Sequence, residues 1–185
     1  GNLLADSLKG NIKFDKIVFS YVRGEDVLKD ISFNVKSGEK VAIVGATGSG
    51  KTTIVNLLTR FYDSQNGSIE LDDINIKDLD ILSLRSKIAL VLQDVFLFAD
   101  TLLNNITLWN KSISFDNVVD AAKKIGIHNF IMSLPNGYNY NVKERGVMLS
   151  QGQRQLISFL RAYLKYPSIL ILDEATSSID SNSEE

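Results

Sequence analysis

Between the apolar run Val41-Ala42-Ile43-Val44 and the helix-forming stretch Thr53-Ile54-Val55-Asn56-Leu57-Leu58 lies Gly45-Ala46-Thr47-Gly48-Ser49-Gly50-Lys51-Thr52. The order reads as strand, glycine loop, helix. Glycines let the backbone turn its N–H groups inward, and the start of a helix adds unpaired N–H groups and the positive end of its dipole. Such a loop is built to cradle phosphate oxygens. Lys51 is placed to bridge the β- and γ-phosphates and the Thr52 hydroxyl to bind Mg²⁺, with Thr53 next on the entering helix. An ordinary glycine-rich turn is the alternative for the bare pattern. The flanking strand and helix favour nucleotide binding.

Composition narrows the partners. A formal net charge of -2, with 20 basic and 22 acidic residues scattered along the 185, makes no case for a polyanion, so no nucleic acid is expected. There is no cysteine, which excludes disulfides and thiolate metal sites. The longest apolar runs, around Ile88 to Leu92 and Val95 to Ala99, are far too short to span a bilayer. The first residue is Gly rather than Met, so the sequence is expected to be a piece of a longer chain. Any membrane-spanning part would lie outside it.

Alternating apolar and polar residues in Ile12-Lys13-Phe14 and Ile31-Ser32-Phe33-Asn34-Val35 predict half-exposed antiparallel strands. Ser37-Gly38-Glu39 is a turn leading into the loop strand, and residues 67–76 form a hairpin turning on Asp72-Asp73. Ile88 to Leu92 and Ile169 to Leu172 are continuous apolar runs of strand length, expected to be buried on both faces of a parallel sheet. From Asp116 to Leu164 the pattern is mostly helical, broken at Leu134 to Tyr138. His128, the only histidine, and Trp109 are read as packing or surface residues.

Ser150-Gln151-Gly152-Gln153 has capping-box spacing: the Ser hydroxyl and the Gln side chain can satisfy two free N–H groups at a helix start. Leu156, Leu160 and Leu164 then share one face, and Pro167 ends the segment. The start of this helix is a second possible anion site, with a plain capped helix as the alternative. Asp173 and Glu174 follow an apolar strand at its C-terminal end, where α/β sheets bind ligands. Beside a phosphate loop, Asp173 suits the Mg²⁺ shell and Glu174 suits the polarisation of an attacking water.

Taken together, the phosphate loop, Leu149-Ser150-Gln151-Gly152-Gln153 and Asp173-Glu174 resemble the nucleotide-binding domain of ATP-binding cassette transporters, most closely the exporter type, from about Asn11 onward. The third signature position is commonly Gly in the family and is Gln151 here. The resemblance implies further roles residue by residue. Tyr21 would stack on adenine, with a core strand aromatic as the alternative. Gln93 would contact Mg²⁺ and water and take part in catalysis beside Glu174. Glu144-Arg145-Gly146 would touch the intracellular loops of a transmembrane domain, and Asp180 would reach the dimer interface. Phe96 and Phe98 would line a groove for a transmembrane coupling helix, or be core.

The fold implied is α/β, a phosphate-loop NTPase core sheet with an N-terminal antiparallel β lobe and a helical signature lobe. Residues 1–185 would be a single domain, with β lobe and core over about 11–95, helical lobe over about 96–152 and core again over about 153–185. Two such domains, identical or different, would pair head to tail around ATP and Mg²⁺ and drive export through transmembrane domains of the same or a partner chain, at the cytoplasmic face of a membrane. In the family a further strand and a switch histidine follow, so this stretch is expected to be poorly active alone. The rival functions are a non-transport ATPase using the same dimer as a clamp or interaction module, and a regulatory module that binds ATP without turnover.

Overall fold

In the computed structural model the described residues are 1–92, 94–143, 146 and 148–173. They fall into two compact units, divided between Ile88 and Ala89. The α/β class expected from the sequence holds.

The first unit is built on a four-stranded sheet in the order β2-β1-β3-β4. Strands β1 (Ile12–Phe19) and β2 (Leu28–Val35) pair antiparallel, as do β1 and β3 (Asn66–Leu71), and β3 and β4 (Ile74–Asn75). Strict alternation would turn Ile17 away from the face that buries Phe14. A bulge prevents this: Lys16 takes φ 50° and the register shifts between Phe14 and Ile17, so Phe14, Ile17 and Phe19 are all buried. The bulge makes a glycine necessary on the neighbouring strand. A Cβ at Gly67, which has φ 80°, would lie 2.4 Å from the carbonyl oxygens of Asp15 and Lys16.

The hairpin forms as the sequence predicts, with Asp72 and Asp73 at φ 48° and 64°, the two left-handed residues that a type I′ turn requires. Asp72 has a second task. Its carboxylate accepts hydrogen bonds from the backbone N–H of Lys9 (2.6 Å), Gly10 (3.1 Å) and Asn11 (3.0 Å) and from Asn11 Nδ2 (2.6 Å), tying the segment before β1 to the hairpin. Helix α1 (Lys51–Leu58) carries the phosphate loop at its start and buries Leu57 and Leu58, while α2 (Ile81–Ser86) is capped by Asp80 and buries Leu84.

One expectation fails here. Residues 40–46 form no strand, and Val41, Ile43 and Val44 are 52%, 44% and 87% exposed. An apolar run becomes a strand only when neighbours take up its N–H and C=O groups, and no described strand pairs with this one.

In the second unit β5 (Ile88–Val91) pairs with β8 (Ile169–Leu172), and β6 (Asp100–Thr101) pairs antiparallel with β7 (Asn141–Val142). Strand β5 is buried as expected, but β8 is not buried on both faces, because Leu170 and Leu172 share one face and are 53% and 47% exposed. Helices α3 (Leu102–Thr107), α4 (Phe115–Ile125), α5 (His128–Ser133) and α6 (Gln151–Leu164) enclose a core that includes Leu102, Ile106, Val118, Ile131, Ile157 and Leu160. Helix α4 is bounded by its own sequence: the Ser114 hydroxyl accepts from Asn117 N, and Gly126 at φ 87° closes the end. His128 packs as predicted, its Nδ1 2.9 Å from the hydroxyl of buried Tyr138. Trp109 Nε1 donates to Asp100 Oδ2 at 2.9 Å.

The Asp72 anchor gives a pH signature. Partial burial acts to raise its pKa, but the N–H donors of Asn11, Gly10 and Lys9 outweigh this and hold it below the usual value of 3.8. A carboxylate with a depressed pKa stabilises the fold above the unfolded pKa, and this contribution is lost as pH falls through the folded one. Asp72→Asn keeps a residue that tolerates left-handed backbone, so it isolates the charge. We expect the variant to melt below the parent at pH 6 and the gap to narrow as pH falls below about 4; a constant gap in thermal melts across that range would remove the anchor role.

Candidate functional site

The phosphate loop passes into α1 through Gly50, the residue at the helix N-cap, which has φ 92° and ψ 8°. Only glycine suits this point twice over: the dihedral is left-handed, and a Cβ would lie 2.7 Å from Leu28 Cδ2. Within the loop Ser49 N donates to Ala46 O at 3.1 Å, and Lys51 folds back so that Nζ donates to the carbonyls of Gly45 (2.7 Å) and Ala46 (3.0 Å). An ammonium has three donors, so one remains for an anion while the other two are exchangeable. Residues 45–49, including Gly45, Ala46, Thr47, Gly48 and Ser49, are exposed, as is Thr52. Thr53 is different: it is buried and its hydroxyl faces Tyr21 rather than solvent.

Tyr21 lies just past the end of β1 and is 48% exposed. Its hydroxyl donates to Thr53 Oγ1 at 3.2 Å and accepts from Asn56 Nδ2 at 3.1 Å, which pins the ring to the phosphate-loop helix. The rings of Phe19 and Tyr62 meet it at 88° and 87°, with centroids 4.8 and 5.0 Å away. The structure therefore brings Tyr21 together with the helix that follows the loop. Sequence reasoning missed Asn56 and Tyr62 as groups that hold it, because nothing local marks a contact such as that of Asn56, 35 residues away.

At the start of α6 the capping box is complete. Ser150 Oγ accepts from Gln153 N at 3.1 Å, and Gln153 Oε1 accepts from Ser150 N at 2.9 Å. Gln151 and Gly152 supply the first turn, Gln151 with its side chain exposed. Asp173 sits at the end of β8, where its N–H donates to Val91 O at 2.9 Å. Gln93, Glu144, Arg145, Glu174 and Asp180 lie outside the described residues.

A glycine loop opening into a helix, with a lysine over its carbonyls, defines a nucleotide-binding protein of the phosphate-loop class. The family is more particular. Residues 28–177 match the ABC transporter family, and the chain belongs to it. It is 49% identical over 179 residues to the uncharacterized ABC transporter ATP-binding protein YknV of Bacillus subtilis, covering 97% of this chain and 30% of that one. It is 47% identical over 184 residues to the ATP-dependent lipid A-core flippase of Legionella pneumophila, covering 100% of this chain and 31% of the flippase. Among solved structures, a bacterial Atm1-family ABC exporter with ATP bound superposes with a TM-score of 0.92 at 41% identity, over 99% of this chain and 32% of the exporter. The fold is thus that of an exporter's phosphate-loop NTPase domain. The chain spans about a third of the length of these relatives, which are named as an ABC transporter protein, a flippase and an ABC exporter. Among the described residues no helix is long and apolar enough to cross a membrane.

The capping box carries its own prediction. Ser150→Ala removes the acceptor for Gln153 N and should cost about 1 kcal/mol of stability. Denaturant unfolding of Ser150→Ala, Gln153→Ala and the double variant should show the two losses to be less than additive, since either change breaks the reciprocal pair.

Proposed function

We propose that this chain binds Mg-ATP and hydrolyses it to power the export of a substrate by attached transmembrane domains. The observation that carries the reading is the Lys51 ammonium resting on the carbonyls of Gly45 and Ala46 at the entry of α1, a cation whose two acceptors among the described residues are neutral and exchangeable. The residues fit a triphosphate: the loop is exposed, its backbone is free of Cβ atoms at Gly45, Gly48 and Gly50, and the helix start adds N–H donors.

In this reading residues 45–52 hold the phosphates, Tyr21 stacks on the base, and Thr53 keeps Tyr21 in place. Thr52, Asp173 and Gln93 would hold Mg²⁺, which neutralises charge on the β- and γ-oxygens when bound. Glu174 would orient and deprotonate the attacking water with Gln93 beside it. Two domains, alike or different, would pair head to tail so that Ser150, Gln151, Gly152, Gln153 and Asp180 of one face the nucleotide of the other. ATP then joins the pair and hydrolysis releases it, because only the joined state has every phosphate contact. Phe96 and Phe98, 56% and 40% exposed and 5.0 Å apart, together with Glu144 and Arg145, would meet the transmembrane part at the cytoplasmic face. With Val41–Val44 outside any strand, the 185-residue stretch alone is expected to turn ATP over poorly.

Lys51→Ala tests the reading most directly. Losing charge-assisted bonds to phosphate should cost about 3 kcal/mol, roughly a hundredfold in ATP affinity by calorimetry, with an unchanged melting curve. Undiminished affinity in the folded variant would sink the phosphate-loop assignment. In the full-length protein, Glu174→Gln should retain ATP binding and stop turnover, because an amide accepts a hydrogen bond but is no base. Phosphate release at the parent rate would transfer the role to another residue.

A further inference from the structure

Gln65, the residue before β3, has no part in any role described above, yet its side chain does something specific. Its Oε1 accepts from Ser20 N at 3.0 Å and its Nε2 donates to Ser20 O at 2.8 Å. The last backbone pair between β1 and β3 is Val18 with Asn66, so the Gln65 amide continues the ladder past its end by imitating a peptide unit. It fixes both polar groups of the residue immediately before Tyr21. The next residue, Tyr21, is held through its side chain by Thr53, Asn56, Phe19 and Tyr62.

We propose that Gln65 is a positioning residue for the base of the bound nucleotide, acting through Tyr21. The inference rests on the reading that Tyr21 stacks on the base. Clamping Ser20 removes backbone freedom that would otherwise have to be lost when a base settles on the ring, so the clamp strengthens binding without touching the ligand. Its effect should fall on the base, because residues 45–52 meet the phosphates and Tyr21 reaches α1 through the side chains of Thr53 and Asn56 rather than through the loop.

The test is a titration of purified parent, Gln65→Ala, Tyr21→Ala and the double variant with ATP and, separately, with inorganic tripolyphosphate, which has no base. Gln65 is exposed, so the variants should fold, and their melting curves check this. Gln65→Ala should weaken ATP binding about threefold to tenfold and leave tripolyphosphate binding unchanged. In the Tyr21→Ala background it should add nothing further. Gln65→Glu, which keeps the acceptor for Ser20 N but loses the donor to Ser20 O, should fall between parent and alanine. Equal weakening toward both ligands would make Gln65 a general structural residue and overturn the proposal, as would full additivity in the double variant. Loss of ATP affinity in Tyr21→Ala with none in Gln65→Ala overturns the proposal and leaves stacking intact. No loss in Tyr21→Ala overturns stacking and the proposal together.

Discussion

Everything the phosphate loop can do depends on where α1 starts, and that helix is held at both ends by bonds from distant parts of the chain. At its start Gly50 supplies the left-handed turn against Leu28, while Tyr21 reaches in to Thr53 and Asn56. At its end a cation meets the C-cap carbonyl and the one after it: Arg85 Nε donates to Thr59 O at 3.0 Å and Nη2 to Arg60 O at 2.9 Å. Arg60 in turn donates through Nη1 to Ile76 O and Leu79 O at 2.9 and 3.0 Å. Positive charge at the C-terminal end complements the dipole whose other end faces the loop. A helix of 8 residues has little stability of its own, so these attachments decide its position.

Helix α6 follows the same logic in the second unit. Its first turn is closed by the Ser150–Gln153 box, and Arg161 ties its far half to the chain before α4: Nε donates to Asn105 O at 2.6 Å, Nη1 to Phe96 O at 2.9 Å and Nη2 to Asn105 Oδ1 at 3.1 Å. Burial lowers the Arg161 pKa to about 10, which still leaves the guanidinium charged at neutral pH. Charge-assisted bonds to neutral oxygens offset the cost of desolvating it. Asn105, fully buried, completes the knot by accepting from Phe98 N at 2.8 Å and donating to Phe98 O and Thr101 O, both at 3.0 Å.

The contrast between what the sequence revealed and what it hid follows the range of the forces. The Asp72-Asp73 turn, the Ser150–Gln153 box, the start of α1 at the glycine loop and the end of α6 before Pro167 were all legible, since each is set by residues within one turn of one another. The family was legible too, because its motifs are short and local. Val41–Val44 and β8 were misjudged: hydrophobicity records a tendency to be covered, while strand formation requires a particular neighbour. The holders of Tyr21 and the Arg161–Asn105 knot were invisible for the same reason. They join residues 32 to 56 positions apart, and no periodicity encodes such a meeting.

In the proposed function the start of α6 would use the same atoms as a structural cap and as a binding surface. Ser150 Oγ accepts from Gln153 N, but a hydroxyl also has a proton to give, and the cap leaves that proton available. An anion approaching the helix would therefore meet the Ser150 hydroxyl and the N–H groups of Gln151 and Gly152, the first-turn donors that the box does not satisfy. The glycine common at position 151 in the family is not required by the backbone here: Gln151 is the first helical residue, it has no left-handed φ, and its side chain is exposed. What glycine would give at that position is closeness of approach, not conformation. Gln151 replaces it with an amide that can itself donate to an oxyanion, so the departure exchanges bare backbone for a longer and more mobile donor while the cap beneath it stays intact.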